Sequence, residues 1–282
     1  MLGNGDAQLY HNSLRFYGII KESENTMFTI NRKNNIEYLT IPSFEQSGLV
    51  RHAFSTRIGG VSTGETATMN FGFERKDTPE NIKRNFELLC GCVGINPDKL
   101  VMAKQVHGDI VLAADKTDAG RRLEGVDAFV TDDPDIAICT FHADCVPLFF
   151  LDTKKRVIAL AHSGWRGTAA NIAGKTVGKM IADYGCDPHN IIAALGPSIG
   201  VCHFEVGQEV ADVFDTKYVI QGEKPRIDLW ALCKDQVLAC GVTESNFTLS
   251  GICTFCRKDL FYSYRGDNMK TGSMVSIMQL NA

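Results

Sequence analysis

Apolar and polar positions alternate along residues 1–45, and three segments show the pattern most clearly: "LRFYGII", "MFTINRK" and "IEYLTIP". A period of two is typical of β-strands with one buried face. The N-terminal part of the chain is therefore predicted to form the strands of a meander.

The period changes to that of a helix in "TPENIKRNFELLCGCVG". Its apolar positions fall on one helical face: Ile82, Phe86, Leu89 and Val93. Thr78 is the predicted N-cap and Pro79 the predicted first residue. A pair of strands is expected next, around "KLVMAKQVHGDIVLAAD".

The middle of the chain is its most apolar part and predicts short, largely buried strands. They are expected at "VDAFVTD", "IAICTF", "PLFFLD" and "RVIALAH". A second helix is predicted to end at a cap at Gly185. Its core-facing positions recur at helical spacing: Ala169, Ile172, Ala173, Thr176, Met180 and Tyr184. Beyond it, "IIAALGPSIG" predicts a strand and a turn, "VGQEVADVF" and "IDLWALCKDQVLACG" predict helices, and "TGSMVSIMQL" predicts a closing strand.

Strands cluster in this pattern instead of alternating strictly with helices, which favours an α+β fold over a doubly wound sheet. The 282 residues contain 44% hydrophobic residues, enough for a sizeable core without disulfide or metal staples. No linker, repeat or low-complexity segment interrupts them. A single domain over residues 1–282 is the simplest prediction.

The formal net charge of -4 argues against a general polyanion binder, so no nucleic acid is expected as a partner. The N-terminus lacks a basic segment followed by an apolar one, and no window is long and apolar enough for a membrane span. We expect a cytoplasmic protein whose ten cysteines are reduced.

Two motifs invite a functional interpretation that their context does not favour. "AANIAGKT" resembles a phosphate loop, but Lys175 and Thr176 lie inside the predicted helix and not in a loop before it. Cys253 and Cys256 form a C-x-x-C pair that lacks a second such pair. Buried structural cysteines are the favoured interpretation of "CTFC", with half of a zinc site or a redox pair as the alternatives.

Local zinc-enzyme motifs are absent, so a metal would have to be bound by residues from separate strands. His107, Cys145 and His162 each follow or end an apolar strand, and strand ends can converge at a sheet edge. Two imidazoles and a thiolate are good zinc ligands, and three protein ligands with an open fourth position are typical of a catalytic site. Each histidine taken singly also fits a hydrogen-bonded core position, which is the interpretation for His11, His52, His189 and His203. His142 precedes Cys145 by three residues and is expected to orient a ligand or contact the substrate.

A series of segments in order then resembles the laccase-domain proteins, also called the polyphenol oxidase-type, peptidoglycan editing factor or purine nucleoside phosphorylase family. The segments are "HAFSTRIGGVSTG", "MNFG", "KQVHGD", "VDAFVT", "HADCVPLFFLD", "AHSGWRGT", "GPSIGVCHFEVG", "CTFCRKDLFYSYRGD" and "TGSMVSIMQL". They run from about residue 50 to the C-terminus, and the residues before them match less distinctly. Several motifs in one order are far more specific than any single motif.

The resemblance implies mixed sheets packed together and flanked by helices, related to the catalytic domain of cytotoxic necrotizing factors. Its metal ligands fall on His107, Cys145 and His162, for Zn²⁺ with Cu²⁺ as the alternative. The implied activity is cleavage of purine nucleosides by phosphate, on adenosine, inosine, guanosine and methylthioadenosine, with adenosine deamination at the same site. Zinc that lowers the pKa of a water would suit the deamination.

Phosphorolysis also needs a binding site for an anion beside the sugar. Arg57 and Arg166 are the leading phosphate ligands, with adjacent glycines that let the backbone approach closely, and either could instead hold a structural carboxylate. Asn70 and Arg265 are weaker candidates for the same pocket. Phe141 stands where a small polar residue is expected in many relatives, which bears on substrate preference.

Three other classes of function remain open. A multicopper oxidase needs many imidazoles, commonly in His-x-His pairs, and the seven histidines include no such pair, although copper at the same trio would allow weak phenol oxidation. A cysteine hydrolase would use Cys145 as nucleophile and His162 as base, on an amide such as that of a peptidoglycan precursor. A non-catalytic binding protein would leave the cluster purely structural. The oligomeric state does not follow from the sequence.

Overall fold

The computed structural model describes residues 28–282. Its strands are β1 (Thr29–Lys33), β2 (Ile36–Thr40), β3 (Val50–Ser55), β4 (Leu100–Lys104), β5 (Val111–Ala113), β6 (Arg122–Glu124), β7 (Ala128–Thr131), β8 (Ala137–His142), β9 (Val146–Asp152), β10 (Val157–Ser163), β11 (Ile191–Leu195), β12 (Val219–Ile220), β13 (Arg226–Ile227), β14 (Phe247–Leu249) and β15 (Met274–Leu280). Two of the predicted N-terminal strands are thereby confirmed as β1 and β2. The third, "LRFYGII", lies outside the described residues.

The α-helices are α1 (Pro42–Ser47), α2 (Pro79–Val93), α3 (Trp165–Ala169), α4 (Ile172–Tyr184), α5 (Gln208–Ala211) and α6 (Leu229–Ala239). Short 3-10 turns lie at Gly64–Thr66, Pro97–Lys99, Lys116–Asp118, Pro188–Asn190, Thr216–Tyr218 and Glu244–Asn246. The predicted capping of α2 is confirmed, since the Thr78 side chain accepts a hydrogen bond from the Asn81 amide and Pro79 opens the helix. None of these helices is long and apolar enough to cross a membrane.

Two large mixed sheets dominate the structure. The first has the order β1-β2-β3-β15-β8-β4-β6, and the second has the order β14-β11-β9-β10-β7-β5. Both combine antiparallel and parallel pairs: β15 lies antiparallel to β3 and β8, while β4 lies parallel to β8. The α+β class predicted from clustered strands is confirmed.

The two sheets pack face to face and each carries helices on its outer side. Phe54 and Ile138 of the first sheet meet Phe149 and Leu160 of the second in the central layer of the core. The outer face of the first sheet is covered by α2. The outer face of the second is covered by α4 and α6. Since β9 and β10 are covered on both faces, every residue of both strands is buried, as their uninterrupted apolar runs predict.

Two local predictions are wrong in detail. The segments before and after "QVHGD" are not paired with each other, because β4 belongs to the first sheet and β5 to the second. The predicted helix around residues 169–184 is two helices, since Asn171 has φ 63° and caps α4 through the Gly174 amide. Lys175 and Thr176 are therefore the fourth and fifth residues of α4, and Lys175 pairs with Asp109 on the surface.

Candidate active site

Two connections between the sheets and the end of one strand bring the predicted metal ligands together. His107 lies in the crossing from β4 to β5, and Cys145 lies in the turn from β8 to β9, which also changes sheets. His162 is the last residue but one of β10. The ligand atoms of these three side chains lie within 4.8 Å of one another. The structure thus assembles the trio that the sequence analysis selected.

A buried carboxylate, Asp127, holds two of the three residues in place. His162 Nδ1 donates a hydrogen bond to Asp127 Oδ1 over 2.8 Å. The backbone amide of His107 donates to Asp127 Oδ1 at 3.1 Å, and those of Val106 and Gly108 donate to Oδ2 at 3.2 and 2.9 Å. One carboxylate therefore fixes both the His107 loop and the ring of His162, which leaves Nε2 of His162 for a ligand.

The backbone approaches the site closely at two positions. His107 has φ 60°, a left-handed conformation that an L-residue rarely adopts, and the hydrogen bonds to Asp127 stabilise it. A Cβ at Gly164 would lie 2.8 Å from Cδ2 of His107 and 3.4 Å from Sγ of Cys145. A glycine is therefore required at position 164 if the ring of His107 is to keep its place.

The electrostatics of the trio favour a thiolate beside an imidazolium. Burial by itself would raise the pKa of the Cys145 thiol, but the charge of His162 and hydrogen bonds from both histidines outweigh it and lower the pKa to about 6. Burial likewise opposes the charged form of His162, but Cys145 and Asp127 stabilise that form and raise the pKa to about 9. A lowered thiol pKa suits both a metal ligand and a nucleophile.

His142 lies directly behind the trio. Its Nε2 is 2.9 Å from Thr140 Oγ1 and 3.2 Å from Ser276 Oγ, and its Nδ1 is 3.3 Å from the carbonyl oxygen of Cys145. Burial, followed by the charge of His162, lowers the pKa of His142 well below its usual range, so the ring is neutral at pH 7. His142 also borders the cavity beside the trio, so orienting the Cys145 turn and contacting the substrate both stay predictions for it.

A cavity of about 640 Å³ opens above the trio. Its aromatic wall contains Phe141, Trp165, Phe204 and Tyr264. Its cationic side chains are Arg75, Lys104, Arg122, Arg166 and Arg265, which exceed in number the acidic Glu74 and Asp144. This size and lining suit a small, partly aromatic ligand that carries negative charge.

Arg166 and Arg265 both line this cavity, as the sequence analysis expects. The guanidinium of Arg166 lies over the ring of Trp165 at 4.3 Å, and within residues 28–282 it has no hydrogen-bond or ion-pair partner. Arg265 donates to the Glu205 carbonyl at 2.7 Å, and its backbone amide donates to Asp144 Oδ2. Of the two, Arg166 has the more available charge.

The structure does not support phosphate contacts from Arg57 or Asn70. Arg57 donates to the carbonyl oxygens of Ala67 and Lys258 and lies over the ring of Tyr262 at 4.6 Å, outside the cavity. Asn70 is fully buried, and its Oδ1 accepts hydrogen bonds from the amides of Gly72 and Ser273 behind the cavity wall. The polar groups of both residues already have partners, which are backbone atoms and, for the Asn70 amide, the Asp77 carboxylate, and neither side chain lines this cavity.

Three residues of the site were not predicted from the sequence: Asp127, Arg75 and Arg122. Asp127 stands in the "VDAFVT" segment, directly before the first residue of the buried strand β7. A carboxylate beside an apolar strand was the sequence feature that could have indicated it. Arg75 donates to Ser273 Oγ at 3.2 Å, and Arg122 is paired with Glu74 at 2.7 Å. Nothing in their sequence context distinguishes these two arginines from surface residues.

Comparison with known proteins identifies the family of this chain. The family model described as multi-copper polyphenol oxidoreductase laccase matches residues 51–281. The purine nucleoside phosphorylase of Bacteroides thetaiotaomicron is 35% identical over 260 residues, covering 86% of this chain and 95% of that protein. Purine nucleoside phosphorylase YfiH of Escherichia coli is 35% identical over 250 residues, covering 86% and 98%.

Solved structures show the same fold. The crystal structure of YlmD from Geobacillus stearothermophilus superposes with a TM-score of 0.86 at 28% sequence identity, covering 92% of this chain and all of that one. Since the family model spans most of the chain and close relatives match along nearly their whole length, the family predicted from the ordered motifs is confirmed. The chain belongs to the multi-copper polyphenol oxidoreductase laccase family, and the two relatives compared with it above are named purine nucleoside phosphorylases.

Proposed function

We propose that this protein is a purine nucleoside phosphorylase that also deaminates adenosine, with residues 1–282 acting as one catalytic domain. The observation that carries the proposal is the convergence of His107, Cys145 and His162 at the base of a cavity rich in arginine and aromatic side chains. The names of the relatives supply the purine nucleoside as substrate class. Adenosine, inosine, guanosine and methylthioadenosine are the substrates to test.

Phosphorolysis requires a phosphate and a nucleoside to lie side by side. The N-glycosidic bond breaks with its electrons leaving on the purine nitrogen, a phosphate oxygen bonds to C1′ of the ribose, and the proton lost by hydrogen phosphate ends on the departing purine. Arg166 is the proposed phosphate ligand, because its guanidinium lines the cavity and its planar fork suits a phosphate. Arg265 lines the same cavity as Arg166. Phe141 and Tyr264 offer apolar ring surface to the base.

The trio fits a zinc ion by its donor set, since two imidazole nitrogens and one thiolate of low pKa converge and leave room for a fourth ligand. We therefore assign Zn²⁺ to His107, Cys145 and His162. When bound, Zn²⁺ supplies Lewis acidity that lowers the pKa of a water. The chain itself contributes the orientation of His162 through Asp127, and the aromatic wall of the cavity offers apolar surface to the base.

The test incubates the protein with adenosine, with and without phosphate, and separates the products by chromatography. Adenine and ribose 1-phosphate should form only when phosphate is present, and inosine should form from adenosine without it. Cys145→Ala is the control for contaminating activity. If neither adenine nor inosine exceeds the level given by Cys145→Ala, the nucleoside proposal is wrong.

A cysteine hydrolase is the second candidate function, and one observation favours it. Cys145, His162 and Asp127 are arranged as nucleophile, base and orienting carboxylate, with a thiol pKa of about 6. The amide of a peptidoglycan precursor is the substrate class to test, and the expected likeness to cytotoxic necrotizing factors stays a prediction that belongs with this candidate. A metal-free protein that hydrolyses such an amide at full rate would favour it over the phosphorylase.

Copper at the same trio gives the third possibility, weak oxidation of phenols. Metal analysis of the wild type and of Cys145→Ala as purified separates the cases, because the phosphorylase proposal expects Zn²⁺ at this site that the variant lacks. Copper accompanied by phenol oxidation and no nucleoside cleavage would support the oxidase. A cytoplasmic location stays part of the proposal, since purine nucleosides and phosphate are available there.

A further inference from the structure

We propose that Cys202, His203, Cys253 and Cys256 form a second metal site, one that holds a structural Zn²⁺. The ligand atoms of these four side chains lie within 4.8 Å of one another, and none of the four belongs to the proposed active site. The proposal is independent of the activity proposed above, because it concerns only what these four residues bind. Three thiolates and one imidazole form a ligand set that is common in structural zinc sites.

Four of the six distances between the ligand atoms are close to those of a tetrahedral zinc site. With bonds of about 2.3 Å to sulfur and about 2.0 Å to nitrogen, tetrahedral zinc separates two sulfurs by about 3.8 Å and a sulfur from a nitrogen by about 3.5 Å. Sγ of Cys202 lies 3.8 Å from Sγ of Cys256. Nδ1 of His203 lies 3.2, 3.9 and 3.4 Å from the sulfurs of Cys202, Cys253 and Cys256.

The second half of the site that "CTFC" lacks in sequence comes from a distant segment. Ser198 and Cys253 form a parallel bridge, and the Thr254 amide donates to the Ser198 carbonyl at 3.0 Å, so residues 198–203 lie beside residues 253–256. The interpretation of "CTFC" as two buried structural cysteines is wrong for Cys256, which is exposed. His203 is likewise only half-buried, so it is not the core histidine that the sequence suggests.

Two further contacts prepare the cluster for a metal. The Gly200 amide donates to Sγ of Cys253 at 3.3 Å, a contact that stabilises a thiolate. The ring of His203 stacks on Phe255 with centroids 4.0 Å apart and planes 16° apart, which fixes the direction of Nδ1. Since the protein fills all four positions, the site has no place for substrate, and its role is structural.

The site would stabilise one wall of the active-site cavity. Thr254, between the two cysteines of "CTFC", donates to Asp144 Oδ1 at 2.6 Å, and the Ile199 amide donates to the Asp144 carbonyl at 2.8 Å. Asp144 precedes Cys145 and has φ 87°, a conformation that needs external support. A metal that ties the two segments together therefore helps to hold the Cys145 turn.

A disulfide between Cys202 and Cys256 is the main alternative use of these residues. The structure has all of its cysteines as free thiols, and a disulfide would leave His203 without a reason to point into the group of sulfurs. The experiment below distinguishes the two, since a disulfide removes two hydrogens from the intact mass and binds no metal.

The test counts metal in full-length protein that has been loaded with Zn²⁺ and dialysed. We expect about two zinc ions per chain in the wild type and about one each in Cys145→Ala and Cys256→Ser. Cys240→Ser is the matched control, because Cys240 belongs to neither cluster, and it should retain both ions. No zinc in Cys145→Ala, or two ions in Cys256→Ser, would overturn the proposal.

Cobalt gives a second measurement that does not depend on the folding of Cys256→Ser. Co²⁺ bound to Cys145→Ala should show the strong near-ultraviolet absorption of several thiolate ligands, and the metal should protect three cysteines from a thiol reagent. Absence of that absorption, together with an oxidised intact mass, would identify the cluster as a disulfide and exclude the metal site.

Discussion

His162 donates its Nδ1 hydrogen to Oδ1 of Asp127 over 2.8 Å, and both side chains are buried. The same carboxylate accepts the backbone amides of Val106, His107 and Gly108. Asp127 thus determines the ring nitrogen that His162 offers to a metal and the conformation of the loop that carries His107.

We predict that Asp127→Asn weakens metal binding at the trio. The new amide group would face backbone N–H donors, and such substitutions behind a metal ligand typically cost ~10–100-fold in affinity. Competition with a chelator of known zinc affinity measures the change. Asp109→Asn is a suitable control, because Asp109 pairs with Lys175 on the surface and should leave the affinity unaltered. Equal affinities for the two variants would contradict the role of Asp127.

Gly164→Ala is predicted to displace the ring of His107. The alanine Cβ would lie 2.8 Å from Cδ2 of that ring, while φ of -72° at position 164 is compatible with alanine, so the effect is confined to the site. We expect roughly a tenfold loss of metal affinity. Gly178→Ala is the matched control: nothing lies within 4 Å of its Cβ position in α4, and alanine there should stabilise the helix by ~1 kcal/mol. Unchanged affinity in Gly164→Ala would show that His107 is not a ligand.

The sequence carried enough information to predict most elements and the cluster of His107, Cys145 and His162, but not how the two sheets share them. The apolar runs of β9 and β10 and the capping residues of α2 are local signals, so the pattern reveals them directly. The change of sheet at "QVHGD" depends on long-range pairing, which no local period contains. That change of sheet places His107 opposite Cys145.

The arginines show the same limit for the site. Arg57 and Arg166 stand in similar glycine-rich segments, yet Arg57 is held by the carbonyls of Ala67 and Lys258 while Arg166 lines the cavity. Only the tertiary partners distinguish them. The second cluster likewise cannot be recognised in the sequence, because Cys202 and His203 are far along the chain from Cys253 and Cys256. Even the nearest two, His203 and Cys253, are 50 residues apart.

We predict that Arg166→Ala raises KM for phosphate while Arg57→Ala does not. Loss of a charged hydrogen bond of ~1.5–3 kcal/mol corresponds to an increase in KM of roughly 10–100-fold. Arg57→Ala instead breaks contacts to Ala67, Lys258 and Tyr262, and should lower Tm by roughly 2–6 °C. Steady-state kinetics at varied phosphate and thermal unfolding measure the two effects. A raised KM for phosphate in Arg57→Ala but not in Arg166→Ala would place phosphate at Arg57.

Cys145 should react with iodoacetamide at unusually low pH once metal is removed. With a pKa of about 6, ~90% of the Cys145 thiol is ionised at pH 7, compared with a few per cent of an ordinary thiol. Cys256 is an internal control, since partial desolvation of its sulfur and the neighbouring Cys253 raise its pKa although the residue is exposed. Peptide mass spectrometry across a pH series gives a rate for each residue. If Cys145 reaches half of its maximal rate near pH 8.5, His162 does not stabilise its thiolate.

The last prediction concerns His52, a buried residue of β3 remote from the trio in sequence. Its Nε2 accepts a hydrogen bond from the Ile41 amide at 2.7 Å, and its ring lies 5.4 Å from that of Phe44. Burial lowers its pKa to about 4. An unfolded histidine titrates near 6.5, so between these values the unfolded chain binds more protons than the folded one.

Stability due to a neutral His52 is therefore fully present above pH 6.5 and is lost as the pH falls toward 4. At pH 5 the loss is about 2 kcal/mol relative to pH 7, at 1.36 kcal/mol per pKa unit. His52→Gln keeps an acceptor for the Ile41 amide but does not titrate, so its free energy of unfolding should fall less over this range by about 2 kcal/mol. Urea unfolding of both proteins at pH 7 and pH 5 gives the loss of unfolding free energy for each protein. Subtracting one loss from the other cancels the contribution of His142 and of other groups that titrate in both. Equal losses in the two proteins would show that His52 ionises in the folded state.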